Sequence, residues 1–207
     1  KEKMNFNTST HIPVMEHFYT IQGEGFYTGN AAYFIRLAGC DVGCVWCDVK
    51  ESWTVEEKQL MLIDDLVAEV LKYSGRLVVI TGGEPLMYDL SFLTKKLKEN
   101  GFQINIETSG AYPISGELDW ICVSPKKFKA PLKEVLAKAN ELKCIIFNNS
   151  DFKFAEDNYK LTTANCQLYL QTEWSKQEQM LPLMIDYIKE NTQWKISLQT
   201  HKYLNIP

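Results

Sequence analysis

The sequence predicts an α/β fold in which mostly parallel strands form a partial, open barrel. Apolar segments typical of strands alternate with segments of helical periodicity, and about seven strand-like segments are present. Such alternation builds βα units and a parallel sheet. A closed barrel of eight such units takes roughly 250 residues, whereas this chain has 207. We therefore expect residues 1–207 to form a single domain with an incomplete TIM-like barrel.

The composition is that of an ordinary globular protein, with 45% hydrophobic residues, 23% charged residues and a net charge of −4. The chain has no excess of basic residues that could neutralise phosphates, so we expect no nucleic-acid partner. No segment approaches the roughly 20 consecutive apolar residues that span a bilayer, so we expect no membrane partner. Cysteines that cluster without a secretory signal indicate a reducing compartment, and we expect a cytoplasmic location.

The amino-terminal part of the chain predicts a loose segment, a glycine loop and a buried strand. Residues 1–14 are polar and mixed, and residues 16–25 place glycines on both sides of Glu24, so we expect a loose lead-in and then a loop that approaches a ligand closely. Residues 32–39 are apolar, as in a buried strand. Arg36 interrupts this strand and needs an anionic partner, which could be a protein carboxylate or a substrate carboxylate.

The rest of the chain predicts a long helix and then a regular alternation. Residues 54–73 show a helical apolar stripe, with Thr54 and Glu57 as a capping box at its start. Further strands are predicted at 77–81, 103–108, 118–123, 142–147, 166–170 and 194–198, and helices at 89–99, 131–139, 151–158 and 175–190. Polar clusters follow most of these strands. Because ligands bind at the carboxyl ends of parallel strands, we expect one active site at that edge of the sheet.

A group of three cysteines follows the first predicted strand. Cys40, Cys44 and Cys47 have C-x3-C-x2-C spacing, and the next cysteine, Cys122, is far along the chain. Three thiolates can hold three irons of a [4Fe-4S] cluster and leave the fourth iron open for chemistry, whereas structural zinc sites fill all four positions. On spacing alone a cluster, a zinc site and buried thiols all stay open. The other cysteines lie in apolar runs and are expected in the core: Cys122, Cys144 and Cys166.

The motifs together resemble the radical S-adenosylmethionine superfamily over essentially the whole chain. The resemblance rests on the cysteine motif with Trp46 before its third thiol, on the turn Gly82-Gly83-Glu84-Pro85, and on the partial barrel. A narrower resemblance, to the 7-carboxy-7-deazaguanine synthases, rests on Gln22-Gly23-Glu24-Gly25, Arg36, Cys47-Asp48, Glu107-Thr108-Ser109-Gly110, Ser124-Pro125-Lys126, Gln199, His201, Lys202 and Pro207.

The resemblance implies a lyase that contracts the ring of 6-carboxy-5,6,7,8-tetrahydropterin to 7-carboxy-7-deazaguanine with loss of ammonia, in queuosine biosynthesis. It implies a [4Fe-4S] cluster ligated by Cys40, Cys44 and Cys47, with S-adenosyl-L-methionine bound at the open iron as the source of an adenosyl radical. It also implies an electron donor such as flavodoxin, and a homodimer. The cofactors supply the difficult chemistry, and the protein positions them.

The same resemblance assigns roles to residues of this chain. S-adenosyl-L-methionine would be bound by Trp46, Cys47, Asp48, Gly83, Glu84, Ser124, Pro125, Lys126 and Gln171. The pterin would be bound by Ile21, Gln22, Gly23, Glu24, Arg36, Thr81, His201 and Pro207. The guanidinium of Arg36 matches the substrate carboxylate as a two-pronged donor, and a terminal carboxylate at Pro207 would accept from the N–H groups of the pterin.

One position departs from the family pattern. The family often has Thr or Ser directly after Cys-Asp, where the hydroxyl helps to hold Mg²⁺ against the substrate, but this chain has Val49. A Mg²⁺ ion would then take its oxygen ligands from substrate and water. Two other functions stay open beside the synthase: an activase of glycyl-radical enzymes, which would need a docking surface for a protein, and a zinc-binding module without catalysis.

Overall fold

The computed structural model describes residues 6–45, 47 and 49–207. This part of the chain forms a nine-stranded sheet. The strands are β1 His11–Ile21, β2 Ala31–Leu37, β3 Leu60–Leu62, β4 Leu77–Gly82, β5 Gln103–Thr108, β6 Trp120–Val123, β7 Glu141–Ile146, β8 Gln167–Thr172 and β9 Lys195–Ile196. The α-helices are α1 Ile63–Val70, α2 Ser91–Glu99, α3 Lys133–Leu136, α4 Ser150–Tyr159, α5 Gln177–Glu190 and α6 Thr200–Leu204.

The strands are arranged in the order β3-β1-β2-β4-β5-β6-β7-β8-β9, and the two ends of the sheet do not meet. The pair β2–β4 and each later pair in this order are parallel, whereas β1 is antiparallel to both of its neighbours. Helices α2, α4 and α5 pack on β5, β7 and β8. The partial barrel of mostly parallel strands predicted from the sequence is therefore confirmed.

The central strands are buried because apolar residues fill consecutive positions. In β4, Val78, Val79 and Ile80 are all inaccessible to solvent, as expected of a parallel strand covered on both faces. Helices α1 and α2 bury apolar stripes against one side of this sheet. The other side of the central strands carries polar residues toward the interior of the partial barrel, where the cavity described below lies.

Two strands were not predicted from the sequence. Residues 11–21 were expected to be part of a loose lead-in and a loop, but they form β1. This segment is rich in aromatic and β-branched residues, which favour strands when a partner is present. The partner is β2, and Phe18 pairs with Phe34 across the two strands with ring centroids 5.6 Å apart.

The prediction of one helix over residues 54–73 was wrong in its first half. Residues 60–62 form β3, which pairs with residues 11–13 of β1, and the helix begins only at Ile63. The capping box is formed by Glu56 and Gln59 around a short 3₁₀ helix, not by Thr54 and Glu57. Pairing with a distant strand thus overrides a helical apolar pattern.

None of the helices in the described part of the chain has the length and apolar character needed to cross a bilayer. The seven strands that were predicted are all present, and the last of them is reduced to the two residues of β9. Three further 3₁₀ helices are Lys50–Trp53, Pro85–Met87 and Trp174–Lys176. The first and the third contribute residues to the cavity wall.

Candidate active site

The interior of the partial barrel contains a cavity of about 400 Å³. Most residues singled out from the sequence line it: Ile21, Gln22, Gly23, Glu24, Arg36, Cys40, Cys44, Cys47, Thr81, Gly83, Ser124, Lys126, Gln171, His201 and Pro207. Glu84 and Pro125 do not, and the predictions for Trp46 and Asp48 lie outside the described residues. The volume of the cavity is within the range of sites that bind small molecules.

The three clustered thiols enter the cavity on a loop that follows β2, called here the Cys loop (residues 38–49). The loop is anchored by backbone hydrogen bonds from Gly39 N to Ser52 O and from Glu84 N to Gly39 O, at 2.6 and 2.9 Å. Burial raises the pKa of Cys40, and it raises that of Cys44 to about 11. Both thiols are therefore protonated at neutral pH, and ligation of a metal must release protons.

The donor set of the Cys loop suits an iron–sulfur cluster. Cys40, Cys44 and Cys47 all line the cavity wall. Among the described residues, however, no group of three or more His, Cys, Asp or Glu side chains is arranged to hold a metal ion. Three sulfur donors on one loop match the three protein ligands of a [4Fe-4S] cluster with one open iron.

A polar clamp holds the Cys loop from outside the cavity. Asp41 accepts hydrogen bonds from Tyr112 Oη and from Lys129 Nζ, the latter at 2.9 Å. The ammonium group of Lys129 also lies 4.0 Å from the centre of the Tyr112 ring. Partial burial opposes ionisation of Asp41, but these hydrogen bonds outweigh it and lower its pKa. The clamp joins the Cys loop to the segments that follow β5 and β6.

Glu84 is buried behind the residues that line the cavity. It is 1% exposed, and its carboxylate accepts hydrogen bonds from Thr108 Oγ1 at 2.6 Å, Ser109 N at 2.8 Å and Leu86 N at 3.0 Å. These bonds join the turn after β4 to the turn after β5. The expected contact of Glu84 with S-adenosyl-L-methionine stays a prediction, and the visible role of its carboxylate is to hold two turns together.

The loop between β1 and β2 (residues 22–30) closes the amino-terminal end of the barrel interior. Because β1 is antiparallel to β2, this loop lies beside the first residues of the parallel strands and not at their carboxyl ends. Glu141, the first residue of β7, accepts from Trp120 Nε1 at 2.9 Å and from Phe26 N at 3.4 Å. Burial raises the pKa of Glu141. The loop brings Gln22, Gly23 and Glu24 into the cavity from the amino-terminal end of the parallel strands.

A buried lysine joins two carboxylates at the cavity floor. Lys143 of β7 is 3% exposed; its Nζ donates to Glu24 and, at 3.1 Å, to Glu107 Oε2. Lys143 was missed in the sequence analysis, although a charged residue inside an apolar strand is the same signal that drew attention to Arg36. Glu107 was noted only as part of a family motif.

The ion pair changes the titration of Glu24. Burial favours its neutral form, but the charge and hydrogen bond of Lys143 and a hydrogen bond from Gln199 outweigh burial and lower the pKa of Glu24 from 4.5 to about 2. Burial likewise disfavours the charged form of Lys143, yet Glu107 and Glu24 raise its pKa well above 10.5. Glu24 thus stabilises the fold above pH 4.5, and this contribution is lost as the pH falls toward 2.

The carboxyl-terminal segment forms one side of the cavity. Thr200 donates from its backbone N and its Oγ1 to Gly23 O, at 2.9 and 3.0 Å. Thr20 Oγ1 donates to Pro207 O at 3.4 Å. A Cβ atom added at Gly23 would lie 2.8 Å from the backbone N of His201, so the glycine permits this close approach. His201 and Pro207 are thereby placed in the wall.

Arg36 contacts a protein carboxylate and also reaches the cavity. Its Nε donates to Glu16 Oε1 of the neighbouring strand β1 at 2.6 Å. Of the two anionic partners expected for Arg36, the protein carboxylate is present. A guanidinium has five N–H donors, so one bond to Glu16 leaves others for a ligand. Aromatic residues that the sequence analysis did not place in the site also line the wall: Phe18, Phe34, Trp53 and Trp174.

Comparisons with known proteins agree on one family. A model described as the radical SAM superfamily matches residues 34–143. A protein named 7-carboxy-7-deazaguanine synthase from Flavobacterium psychrophilum is 55% identical over 196 residues, covering 95% of this chain and 93% of the relative. Proteins with the same name from Synechocystis and Escherichia coli are 46% and 37% identical, and the alignments cover 94% of this chain in each case and 93% and 98% of the relatives.

A solved structure shows the same architecture. The crystal structure of QueE from Escherichia coli superposes with a TM-score of 0.83 at 34% sequence identity, covering 91% of this chain and 94% of the other. The similarity therefore extends over nearly the whole chain. Neither an activase of glycyl-radical enzymes nor a zinc-binding module is supported by these relatives.

Proposed function

Because the chain belongs to the 7-carboxy-7-deazaguanine synthase family of the radical SAM superfamily, we propose that it converts 6-carboxy-5,6,7,8-tetrahydropterin to 7-carboxy-7-deazaguanine in the cavity described above. The observation that supports this most is the meeting of three thiols, one guanidinium and two ion-paired carboxylates in one cavity of about 400 Å³. The substrate differs from the product by one ammonia, so the conversion needs no net oxidant or reductant.

Enzymes of this superfamily carry a [4Fe-4S] cluster and use S-adenosyl-L-methionine. In this chain Cys40, Cys44 and Cys47 would hold the cluster. When bound, the cluster and S-adenosyl-L-methionine supply the radical that starts the reaction by removing a hydrogen atom from the substrate. The residues proposed to bind S-adenosyl-L-methionine are Trp46, Cys47, Asp48, Gly83, Glu84, Ser124, Pro125, Lys126 and Gln171. The carboxylate of Glu84 also accepts a hydrogen bond from Ser109 N at 2.8 Å.

The chain's own residues bind and orient the pterin in this proposal. Arg36 would donate to the substrate carboxylate as a fork. Glu24 and Gln22, with His201, Thr81 and the Pro207 segment, would meet the polar edge of the ring. The aromatic wall of Phe18 and Phe34 would cover the flat faces and exclude water, which strengthens the polar interactions inside the cavity.

Several finer statements belong to the same proposal. We propose a cytoplasmic enzyme with a single domain over residues 1–207, a homodimer, and a reductant such as flavodoxin. Neither nucleic acid nor a membrane is proposed as a partner. A Mg²⁺ ion would be bound through substrate and water, because Val49 has no side-chain oxygen. No step of the reaction is assigned to that ion.

The direct test of the function is turnover by the holoenzyme. Anaerobic protein with a reconstituted cluster, S-adenosyl-L-methionine and a reductant should convert the tetrahydropterin to 7-carboxy-7-deazaguanine and release one ammonia per product. Chromatography of the product and an ammonia assay measure both. The matched control omits only the reductant. Protein that keeps its cluster and binds S-adenosyl-L-methionine yet forms no product would contradict the proposal.

A conservative change at Arg36 tests how the substrate carboxylate is bound. In the Arg36→Lys variant we expect KM for the pterin to rise about tenfold, because a lysine cannot reproduce a two-pronged hydrogen bond. Cleavage of S-adenosyl-L-methionine without substrate should persist at the original rate. Arg76→Lys is the control, because Arg76 packs on the Phe102 ring away from the cavity. An unchanged KM in Arg36→Lys would reject the role.

A further inference from the structure

Lys143 joins two carboxylates of the cavity floor and has no assigned role in the reaction. Its Nζ donates to Glu24 from the β1–β2 loop and, at 3.1 Å, to Glu107 Oε2 at the carboxyl end of β5. All three residues line the cavity. The Glu24 and Glu107 side chains are 16% and 22% exposed, and without a cation between them burial would favour the neutral form of Glu24. The ammonium group of Lys143 prevents this.

The second oxygen of each carboxylate is held by an amide. Gln199 Nε2 donates to Glu24 Oε1 at 2.9 Å, and Gln22 Nε2 donates to Glu107 Oε1 at 2.8 Å. Each carboxylate is therefore held at both of its oxygens. An ionised carboxylate has about four lone-pair positions, so each can still accept hydrogen bonds from a ligand in the cavity. A protonated carboxyl group would instead present an O–H donor.

The other ionisable groups near Lys143 do not replace its charge. Burial raises the pKa of Glu141 on β7 and of Cys122 on β6, which favours their neutral forms. Burial lowers the pKa of Lys126, in the loop after β6, and its Nζ donates to Ser124 Oγ at 2.7 Å. His201 on α6 lies near Glu24 and also favours the ionised form of that carboxylate. Lys143 contacts both carboxylates directly.

We propose that Lys143 is a positioning residue for the substrate, which keeps Glu24 charged and holds Glu24 and Glu107 oriented as acceptors for the N–H groups on the pyrimidine edge of the pterin. The 2-amino group and the ring N–H of such an edge are donors, and two fixed acceptors select ligands that carry them. Lys143 itself does not contact the reacting atoms. This inference deepens the function proposed above and rests on it.

The test measures binding of 6-carboxypterin, a probe with the same pyrimidine edge and carboxylate that undergoes no ring contraction. With the holoenzyme and bound S-adenosyl-L-methionine, we expect Lys143→Met to weaken the Kd about 10- to 100-fold at about pH 5, because hydrogen bonds to a charged acceptor are lost. The loss should shrink as the pH rises from about pH 5 to about pH 7, since Glu24, which lacks its cation in this variant, then ionises. The wild-type Kd should show no such slope.

Two control variants separate this role from a structural one. Lys153→Met removes a lysine from the exposed surface of α4, where it pairs with Asp157, and should leave the Kd and its pH profile unchanged. Lys143→Arg keeps the positive charge and should hold the Kd within about threefold of wild type. Iron content and binding of S-adenosyl-L-methionine should be equal in all variants. A Lys143→Met protein that binds the probe like wild type at every pH would overturn the proposal.

If Lys143→Met does not fold, Lys143→Arg provides the test. A folded Lys143→Arg protein that binds S-adenosyl-L-methionine and has a Kd for the probe near that of wild type supports the charge of Lys143 as the determinant of probe binding. A Kd weakened beyond about tenfold contradicts the proposal. Product formation by wild-type protein tests the proposed function separately from probe binding. If wild-type protein forms no deazaguanine but its variants change probe binding as expected, the reaction is rejected and the role of Lys143 in recognition stands.

Discussion

Replacing Cys44 by alanine is expected to abolish turnover completely and to leave the protein without an intact cluster. Cys44 is one of the three sulfur donors that the described structure places in the cavity wall. Two remaining thiols, Cys40 and Cys47, would leave two irons of a four-iron cluster without protein ligands, so the cluster would not be held. Iron and sulfide analysis, visible absorption and product formation measure the effect. The fold should persist, because only one sulfur atom is removed.

The matched control for this variant is Cys166→Ala. Cys166 is a buried thiol of the apolar core, packed away from the cavity. Its replacement should lower the free energy of unfolding by about 1 kcal/mol, as for a small deletion in a core, and leave iron content and activity intact. If Cys44→Ala kept a full complement of iron and normal turnover, the assignment of the Cys loop as the cluster site would be wrong.

The second large effect is expected from Gly83→Ala. A Cβ atom at this position would lie 2.7 Å from the backbone C of Gly39 and 2.8 Å from Cys40 Cβ. These atoms belong to the Cys loop, which is held to the turn by the bond from Glu84 N to Gly39 O at 2.9 Å. Because backbone atoms cannot rotate away, the loop must move. Overpacking of this kind destabilises by about 1–3 kcal/mol.

We expect Gly83→Ala to lose binding of S-adenosyl-L-methionine and to reduce turnover more than about 100-fold, since a displacement near 1 Å at the reacting groups has an effect of that size. Equilibrium dialysis and product assays measure these losses. Gly101→Ala is the control: Gly101 has a φ of +77°, and an added Cβ would meet nothing within 4 Å. It should affect stability only. Normal cofactor binding by Gly83→Ala would show that the Cys loop tolerates the displacement.

The success of the sequence predictions depended on how local each signal was. The run of apolar residues in β4 was identified because each residue of a strand buried on both faces is apolar. Strand β1 was missed because its alternating and aromatic pattern becomes a strand only when β2 lies beside it. Residues 60–62 were assigned to a helix because their apolar spacing fits both structures, and the decision was made by pairing with His11–Pro13.

The candidate site shows the same division. Arg36 and the Cys loop were found because a charge in an apolar strand and a close spacing of thiols are visible in short segments. A ligand contact was predicted for the carboxylate of Glu84, but its hydrogen bonds from Thr108 and Ser109 at the end of the next strand were not foreseen. That partnership depends on β4 and β5 being neighbours in the sheet. Lys143 carried a local signal as well, but its meaning depended on partners far away in the chain.

The sequence by itself determined the βα alternation, the sulfur donors and the family motifs, because these depend on residue type and on spacing over a few positions. Only the tertiary structure decided that the β1–β2 loop enters the barrel from its amino-terminal end and that Lys143 lies between Glu24 and Glu107. The chain separates these three residues widely, and they meet only after the strands take their order in the sheet. Their charges interact strongly because Lys143 is buried, and burial is a property of the folded protein.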